Sequence, residues 1–352
     1  MKKLFAFFLF LFFCGLLSVA VDSGLDPLPG PVSNNAVAMV RAKGQLLLFS
    51  FMGIGPKKAA DDITRGAFSL DGRNGKWSEV HSVPGTAGRV GAVAAGVRDD
   101  VFLFGGYVAD AHGGMVVPDV GYYHPSNDQW YRAADIPMAV GDSVIGVYHD
   151  RYVYLIGGRS NREVVSNVQV YDPEKNKWAE ATPIPGAPVF GHAGGMVDET
   201  IIYVDGARRN PAGGAPAYVA SDECWMGKID HHERTKIQWT KLPSHPGTAR
   251  FRIAAGGSEK DQKIYFAGGT DNPYDYNGVG YDGKPSEPSP VTFDFNLRTG
   301  KWETISESTP EPTMDHRGLL VTPEGLVIIG GMEKGQKVTA QVALLPKQAA
   351  AK

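Results

Sequence analysis

The sequence has few cysteines and no cluster of basic residues, and both absences limit what the protein can be. Of two cysteines in 352 residues, only Cys224 lies outside the apolar N-terminal stretch, and a single cysteine forms no intrachain disulfide. The net charge is −3 and no lysine- or arginine-rich stripe occurs, whereas nucleic-acid-binding surfaces carry a basic patch. We therefore expect neither a disulfide framework nor a nucleic-acid partner.

The one long hydrophobic run is confined to the N-terminus. Lys2 and Lys3 precede the apolar residues 4–17, and the small residues Ser18-Val19-Ala20 follow, which is typical of a signal peptide. We interpret residues 1–20 as a signal peptide cleaved near Ala20. This predicts a periplasmic or secreted protein with no stable membrane insertion after cleavage, and the missing disulfide favours a bacterial envelope. Two alternatives stay open, namely an uncleaved anchor and a lipid on Cys14.

Repetition organises the rest of the chain. Tyr152–Trp178 contains an apolar β-run, a glycine pair, a polar loop, a second β-run, a charged turn and a tryptophan, which predicts short strands joined by turns. The glycine pairs are Gly105-Gly106, Gly157-Gly158, Gly268-Gly269 and Gly330-Gly331, with degraded copies before Gly55 and Gly206, and the tryptophans are Trp77, Trp130, Trp178, Trp239 and Trp302. In four copies a bulky residue stands seven places before the tryptophan: Leu70, Tyr123, Tyr171 and Phe295. Such periodicity indicates stacked repeat units.

These motifs resemble the Kelch repeat, and no Gly-His…Trp-Asp signature of the WD40 alternative occurs. The resemblance implies an all-β fold, a six-bladed Kelch β-propeller over residues 21–346, with residues 347–352 as a flexible tail. The last repeat supplies only three strands. We therefore expect the segment near Leu25–Leu28 to add the outer strand, so that an N-terminal strand closes the ring.

In such a blade the long loops after each glycine pair and after each tryptophan fall on one face, where function is expected. The most distinctive loop is Thr270–Pro290, which carries tyrosine, asparagine and aspartate among glycines. Aromatic rings and polar side chains together favour sugar recognition. The alternative is a self-packed loop whose tyrosines cover the rim.

Polar residues also follow the proline-rich links, where the innermost strands begin and should ring the mouth of the central channel. From this ring and the tyrosine-rich loop we predict a ligand-binding set: Arg89, His192, Arg250, Arg252, Asp271, Tyr274, Tyr276, His316 and Arg317. Asn34, Asn35, Asp142 and Asp315 belong to the same ring. The alternative is that these side chains tie neighbouring blades together. Glu223 and Asp222 are the candidate catalytic carboxylates, with capping of a loop as the alternative.

Two Kelch subfamilies carry the resemblance further. Sialic-acid mutarotases are similar in their signal, six blades and arginines at the mouth, and Arg250, Arg252 and Arg317 would then clamp a carboxylate. The mutarotase segment after the fourth glycine pair carries a carboxylate, whereas this chain has Ala207, so Glu223 would have to replace it. The chain is also similar to the central domain of galactose oxidase, and Cys224, His192 and His316 are present, but the domain that completes the copper site is missing.

We therefore expect no metal and no cofactor, and the ligand spacing of a calcium loop is also absent from Asp271–Asp275. The function predicted from the sequence is an exported Kelch propeller that binds a small polar ligand or glycan on its long-loop face. A sialic-acid-type sugar mutarotase or epimerase is the first alternative. A protein-interaction scaffold is the second.

Overall fold

The computed structural model describes residues 24–109 and 113–349, so the predicted signal peptide, Cys14 and the last residues of the predicted tail lie outside the described residues. Each repeat forms one antiparallel sheet whose first strand is innermost. The inner strands contact their neighbours in order and the first contacts the last, which closes a ring of six blades. The predicted six-bladed fold is confirmed.

The strands follow the repeats. Blade 1 contains β1 (Ala36–Ala42), β2 (Gln45–Phe51), β3 (Ala67–Asp71) and β4 (Lys76–Glu79). Blade 2 contains β5 (Val93–Val97), β6 (Asp100–Phe104), the loop hairpin β7 (Tyr107–Val108) and β8 (Met115–Val116), then β9 (Val120–His124) and β10 (Gln129–Arg132). Blade 3 contains β11 (Val144–Tyr148), β12 (Tyr152–Ile156), β13 (Val168–Asp172) and β14 (Lys177–Ala181).

The second half repeats this plan. Blade 4 contains β15 (Ala193–Val197), β16 (Thr200–Val204), the hairpin β17 (Ala207–Arg209) and β18 (Tyr218–Ala220), then β19 (Cys224–Ile229) and β20 (Ile237–Leu242). Blade 5 contains β21 (Ala254–Ser258), β22 (Lys263–Ala267), β23 (Thr292–Asn296) and β24 (Lys301–Ser306). Blade 6 contains β25 (Leu320–Val321), β26 (Leu326–Ile329), the hairpin β27 (Met332–Glu333) and β28 (Lys337–Val338), then β29 (Val342–Leu345). In the described ranges, two short 3₁₀ turns lie in the loops, Ala60–Asp62 and Lys334–Gln336.

The tryptophans fasten each blade to the one before it. Each indole N–H donates to a carbonyl in the preceding link: Trp77 to Asp26, Trp130 to His81, Trp178 to Ala134, Trp239 to Thr182 and Trp302 to Pro243. The bulky residues seven places earlier are their cross-strand partners in the same blade: Leu70, Tyr123, Tyr171 and Phe295. In blade 4 the cross-strand partner of Trp239 is Gly227. The predicted aromatic seams are confirmed.

The second glycine of each pair allows the backbones of two blades to meet. Gly158 has φ 106° and its N–H donates to the Val189 carbonyl of the next link over 2.9 Å. A Cβ there would lie 2.7 Å from the Gly141 carbonyl oxygen, and L-residues rarely adopt this φ. Equivalent bonds recur in all six blades, including the degraded pairs Met52-Gly53 and Asp205-Gly206.

The N-terminal segment closes the ring, although its described residues are not assigned as a strand. Leu28 N–H donates to the Ala340 carbonyl over 2.8 Å, and Leu25 and Leu28 pack against blades 6 and 1. Asp26 accepts from Trp77 as the link residues of other blades do. The described part of blade 6 is three-stranded, so the expected strand at Leu25–Leu28 is corrected to a closing link. No helix in the described residues is long and apolar enough to span a membrane.

Candidate functional site

A closed ring of hydrogen bonds surrounds the channel mouth, one link for each blade. Its six residues occupy equivalent places and all have positive φ: Asn34, Gly91, Asp142, Gly191, Arg252 and Asp315. Bonds run from Asp142 N to Gly91 O, Gly191 N to Asp142 O and Arg252 N to Gly191 O, each 2.8 Å. His316 N to Arg252 O, Asn34 N to Asp315 O, and Gly91 N to the Asn34 side chain complete the circle. The ring fixes the backbone positions from which the side chains at the mouth extend.

Three of these ring residues, Asp142, Arg252 and Asp315, form an ionic cluster with Arg317 across the channel. Arg252 donates to Asp142 at 3.0 Å and to Asp315 at 2.9 Å, and Arg317 donates to Asp142 at 2.5 Å. Asn34 Nδ2 also donates to Asp315 over 2.7 Å. All five are buried or nearly so, and the two guanidinium charges balance the two carboxylates. Arg252 and Arg317 therefore come together as predicted, but they are already paired.

The cluster sets the ionisation of its members. Burial alone would raise the pKa of Asp142, but Arg252 and Arg317 outweigh it and lower the pKa to about 2. Burial alone would lower the pKa of Arg252, and the two carboxylates raise it well above its usual value. Arg252 has φ 53° where Asp, Asn or Gly stands in the other blades. An arginine held there costs about 1–3 kcal/mol, which indicates that its side chain is what the position requires.

Above the cluster lies a polar cavity of about 340 Å³ on the long-loop face. Asp142 and Arg252 line its floor, and Tyr276 and Asp275 from the loop of blade 5 line its wall. The remaining polar walls come from Tyr107, Arg159, Ser160, Asn161 and Tyr281. We call this space the mouth cavity. Its size is within the range of small-ligand pockets.

Arg159 is the cation of the mouth cavity that carries no partner. It is exposed, and no hydrogen bond or salt bridge joins its guanidinium to another described residue. The guanidinium instead lies 5.8 Å from the Phe190 ring centroid and 5.5 Å from that of Tyr218. Burial raises the pKa of Tyr281 beside it, so this phenol stays protonated and can donate. An acceptor-rich anionic group therefore meets donors at this wall.

Below the cluster the central channel forms a second cavity of about 270 Å³, lined mostly by Gly, Ala, Val and Ile of the inner strands. His192, His316 and Arg317 line this channel and not the mouth cavity. Burial lowers the pKa of both histidines to about 4, so they are neutral at physiological pH. The structure thus places these three predicted ligand-binding residues behind the ionic cluster.

Arg89 and Arg250 are structural ties rather than residues of the mouth. Each donates its Nη1 to the carbonyl that precedes the third strand of its blade, Arg89 to Asp119 at 3.3 Å and Arg250 to Val291 at 3.5 Å. Arg250 is 2% exposed and its guanidinium lies 5.3 Å from the Phe293 ring centroid. Neither of these two predicted ligand-binding residues lines the mouth cavity or the channel.

The predicted residues of the tyrosine-rich loop divide in the same way. Tyr276 lines the mouth cavity, whereas Tyr274 is fully buried beneath it. Tyr274 packs edge-on against Phe251 and has the Arg252 guanidinium 5.1 Å from its ring centroid. Its hydroxyl has no hydrogen-bond partner of normal geometry. Asp271 is exposed and lines neither cavity. The loop thus presents one of its two predicted tyrosines and packs the other.

The predicted catalytic carboxylates are not at the mouth. Glu223 accepts from Lys241 Nζ at 2.9 Å and from Trp225 Nε1 at 3.2 Å, on the outer part of blade 4. Its oxygens also accept from the Ala187 N–H. Asp222 is exposed, and neither residue lines the mouth cavity or the channel. Ala207 is buried against Phe190, so the mutarotase carboxylate has no replacement at these positions.

In the described ranges, no group of three or more His, Cys, Asp or Glu side chains is placed to hold a metal ion. Cys224 is buried, and burial raises its thiol pKa to about 12, which makes a thiolate ligand unfavourable. The ligand-binding set predicted from the sequence did not include Arg159, Tyr107 or Tyr281, although Tyr281 belongs to the loop for which sugar recognition was expected. The signal for the first two is their place directly after a glycine pair, since that position pairs with the link at the mouth in every blade.

Comparison with known proteins agrees with the fold. The family model of the Kelch motif matches residues 146–185, which confirms the predicted resemblance to Kelch-repeat proteins. N-acetylneuraminate epimerase 1 of Escherichia coli O6:H1 is 24% identical over 389 aligned positions, which cover 97% of this chain and 95% of the relative. Kelch-like protein 36 of Mus musculus is 27% identical over 50% of this chain and 28% of its own length.

A solved structure, titled "Structure of YjhT", superposes with a TM-score of 0.72. It is 18% identical and the match covers 92% of this chain and 97% of that one. This likeness shows the shared propeller fold.

Proposed function

We propose that the protein is an exported Kelch propeller that binds a small polar ligand, a sugar acid in particular, in the mouth cavity. The observation that carries the proposal is the Arg159 guanidinium, which has no hydrogen-bond partner among the described residues, beside the protonated Tyr281 phenol in one cavity of about 340 Å³. A guanidinium recognises a carboxylate through two parallel hydrogen bonds. Tyr276 and Tyr281 supply ring faces and hydroxyls for a sugar.

The charge balance supports an acidic ligand over a neutral one. The cluster of Arg252, Arg317, Asp142 and Asp315 is neutral in sum, so it adds no net charge to the floor. Two carboxylates line the cavity, Asp275 on the wall and Asp142 on the floor, and Asp142 is already paired with Arg252 and Arg317. A ligand carboxylate at Arg159 gains a charge-assisted hydrogen bond, about 1.5–3 kcal/mol.

The binding test is isothermal titration calorimetry of the purified protein with N-acetylneuraminate and with the neutral sugar N-acetylmannosamine. We expect the acid to bind and the neutral sugar to bind at least about tenfold more weakly, because each 1.4 kcal/mol is a factor of ten. Equal binding of the two sugars contradicts the acidic-ligand assignment. Absence of any binding contradicts the mouth cavity as a sugar site.

A sugar mutarotase is the second candidate function. It is favoured by N-acetylneuraminate epimerase 1, which aligns with nearly the whole chain. Anomer exchange needs one group that donates a proton and another that accepts one. The Tyr281 phenol, kept protonated by burial, and the Asp275 carboxylate line the same cavity. These two residues replace Glu223 and Asp222 as the proposed acid and base.

The catalytic test is anomer exchange of N-acetylneuraminate followed by NMR, with parent protein, Tyr281→Phe and Asp275→Asn. Acceleration that both variants lose, while the affinity for the sugar is retained, supports catalysis. A parent that binds without acceleration leaves the protein a binding module.

For export, cell fractionation and N-terminal sequencing should give a chain that starts at Val21, and a chain that retains Met1 contradicts cleavage.

A further inference from the structure

A shelf of arginine and tyrosine adjoins the mouth cavity on the side of blade 4. It is built on the hairpin β17–β18, where Arg208 pairs with Val219 and Arg209 with Tyr218. The Arg209 guanidinium lies 6.0 Å from the Tyr218 ring centroid, and Arg159 lies 5.5 Å from the same ring. The Tyr281 ring is 5.0 Å away. Arg159 and Tyr281 also line the mouth cavity, so the shelf and the cavity are continuous.

The positive charge of the shelf is not balanced by the protein. Arg208 and Arg209 form no salt bridge with any residue in the described ranges, and Arg209 is exposed. The Nε of Arg208 is buried without a hydrogen-bond partner, and a buried polar group of this kind usually has one. By contrast, Arg73, Arg132 and Arg151 on other surfaces each pair with a carboxylate.

The aromatic rings hold these cations in place. A guanidinium against an aromatic face keeps its charge and its hydrogen-bonding edge free. The Tyr218 ring thus contacts both the Arg159 guanidinium, which lines the mouth cavity, and the Arg209 guanidinium, which does not. Two guanidiniums beside one ring can each meet one anionic group of a single extended ligand.

We propose that the shelf is a second anion subsite, and that the mouth prefers an acidic oligosaccharide with a negative charge on each of two successive units. This inference rests on the proposed function, because the first unit occupies the mouth cavity with its carboxylate at Arg159. The second unit lies on the shelf with its carboxylate at Arg209, whose cross-strand partner is Tyr218. The subsite makes no covalent step and adds only recognition.

The test compares three ligands by calorimetry: N-acetylneuraminate, a disaccharide of two N-acetylneuraminate units, and sialyllactose, whose further units are neutral. We expect the acidic disaccharide to bind the parent at least about tenfold more tightly than the monosaccharide, and sialyllactose to gain less. Arg209→Ala should remove the advantage of the disaccharide and leave the affinity for the monosaccharide unchanged. Arg234→Ala is the matched control, because Arg234 is also exposed and lies 4.4 Å from the Tyr152 ring centroid, in the loop between β19 and β20.

Failure of the second subsite is distinguishable from failure of the proposed function. If the parent binds all three ligands equally, or if Arg209→Ala keeps the advantage of the disaccharide, the second subsite is overturned and the mouth cavity assignment stands. If neither the monosaccharide nor the disaccharide binds, the proposed function itself is overturned.

Discussion

Arg317 and Asp142 are joined by a hydrogen bond of 2.5 Å across the mouth of the central channel. Arg317 belongs to blade 6 and Asp142 to blade 3, which lie half a turn apart in the ring. Arg252 of blade 5 bonds to the same carboxylate and to Asp315. One buried carboxylate thus connects three blades, and the cluster separates the mouth cavity from the channel. Arg252 and Arg317, which the sequence predicted to bind a ligand carboxylate, therefore connect the blades through Asp142 and Asp315.

Asp142→Asn should therefore destabilise the protein strongly. Removing one partner of a buried pair leaves an uncompensated charge, which costs about 3–5 kcal/mol, and here two guanidiniums lose the same partner. Urea unfolding followed by tryptophan fluorescence measures the change. Asp99→Asn, an exposed residue, is the control and should alter the free energy of unfolding by less than about 0.5 kcal/mol. A loss under about 1 kcal/mol for Asp142→Asn contradicts stabilisation of the ring by the ionic cluster.

The fold was largely predictable because its signals repeat. A tryptophan at a constant sequence distance from a bulky residue indicates the same aromatic contact in every blade. Trp178 opposite Tyr171 is one such contact. Glycine pairs mark places where two backbones meet, as at Gly158. The closing segment near Leu28 was also inferred correctly in position, from a three-stranded last repeat. Its hydrogen bonds to blade 6 could not be assigned to residues without coordinates.

The site was less predictable, because side-chain direction changes over one or two residues. Arg250 and Arg252 are two positions apart, yet Arg250 fills the seam and Arg252 reaches the mouth. Only Arg252 occupies the positive-φ place of the hydrogen-bonded ring. The sequence also predicted Glu223 as a catalytic carboxylate, whereas in the structure this carboxylate already accepts hydrogen bonds from Lys241 and Trp225. Local pairing of this kind depends on three-dimensional contacts that sequence spacing does not encode.

Trp178→Ala should weaken the seam between blades 2 and 3. The ring packs against Tyr171 at 4.9 Å and Phe104 at 5.9 Å between centroids, and the indole donates to Ala134 over 2.9 Å. Trp178 is partly buried, so we expect a loss of about 3 kcal/mol, at the low end of the range for a large aromatic. Trp178→Phe is the matched variant and should lose about 1 kcal/mol, since it keeps a ring and removes the hydrogen bond. Equal losses in the two variants would mean that packing contributes nothing measurable.

Deletion of residues 21–31 should lower the melting temperature, because it removes the link that closes the ring. Leu28 is 4% exposed and packs with blade 6 and blade 1, and Asp26 accepts the Trp77 indole bond. Loss of one buried leucine alone costs about 2–5 kcal/mol. Differential scanning calorimetry measures the shift. Removal of residues 348–352 is the control and should have little effect, and an unchanged melting temperature in the first deletion contradicts closure by this segment.

Acid should destabilise the protein through its two channel histidines. Burial lowers the pKa of His192 and of His316 from 6.5 to about 4. Above pH 6.5 both histidines are neutral in the folded and the unfolded chain, so the free energy of unfolding has its full value. As the pH falls below 6.5, the histidines of the unfolded chain take up protons first, and this favours unfolding. The free energy of unfolding then declines towards about pH 4, by up to about 1.4 kcal/mol per pH unit for each histidine. His192→Gln should flatten this slope and the exposed control His232→Gln should not. A slope that His192→Gln leaves unchanged would assign the acid sensitivity elsewhere.

The arginines near the mouth should divide into one that binds and one that supports the fold. Arg159→Ala removes an exposed, unpartnered guanidinium, so it should weaken binding of an acidic sugar by about ten- to a hundredfold, the equivalent of one charge-assisted contact. The melting temperature should stay near that of the parent. Arg250→Ala is the matched comparison, because it removes a buried guanidinium from the seam beside Phe293. It should lower the melting temperature and, at temperatures where the variant is folded, retain the affinity of the parent. Calorimetric titration and thermal unfolding of both variants separate the two roles, and the assignment fails if Arg250→Ala loses affinity while Arg159→Ala keeps it.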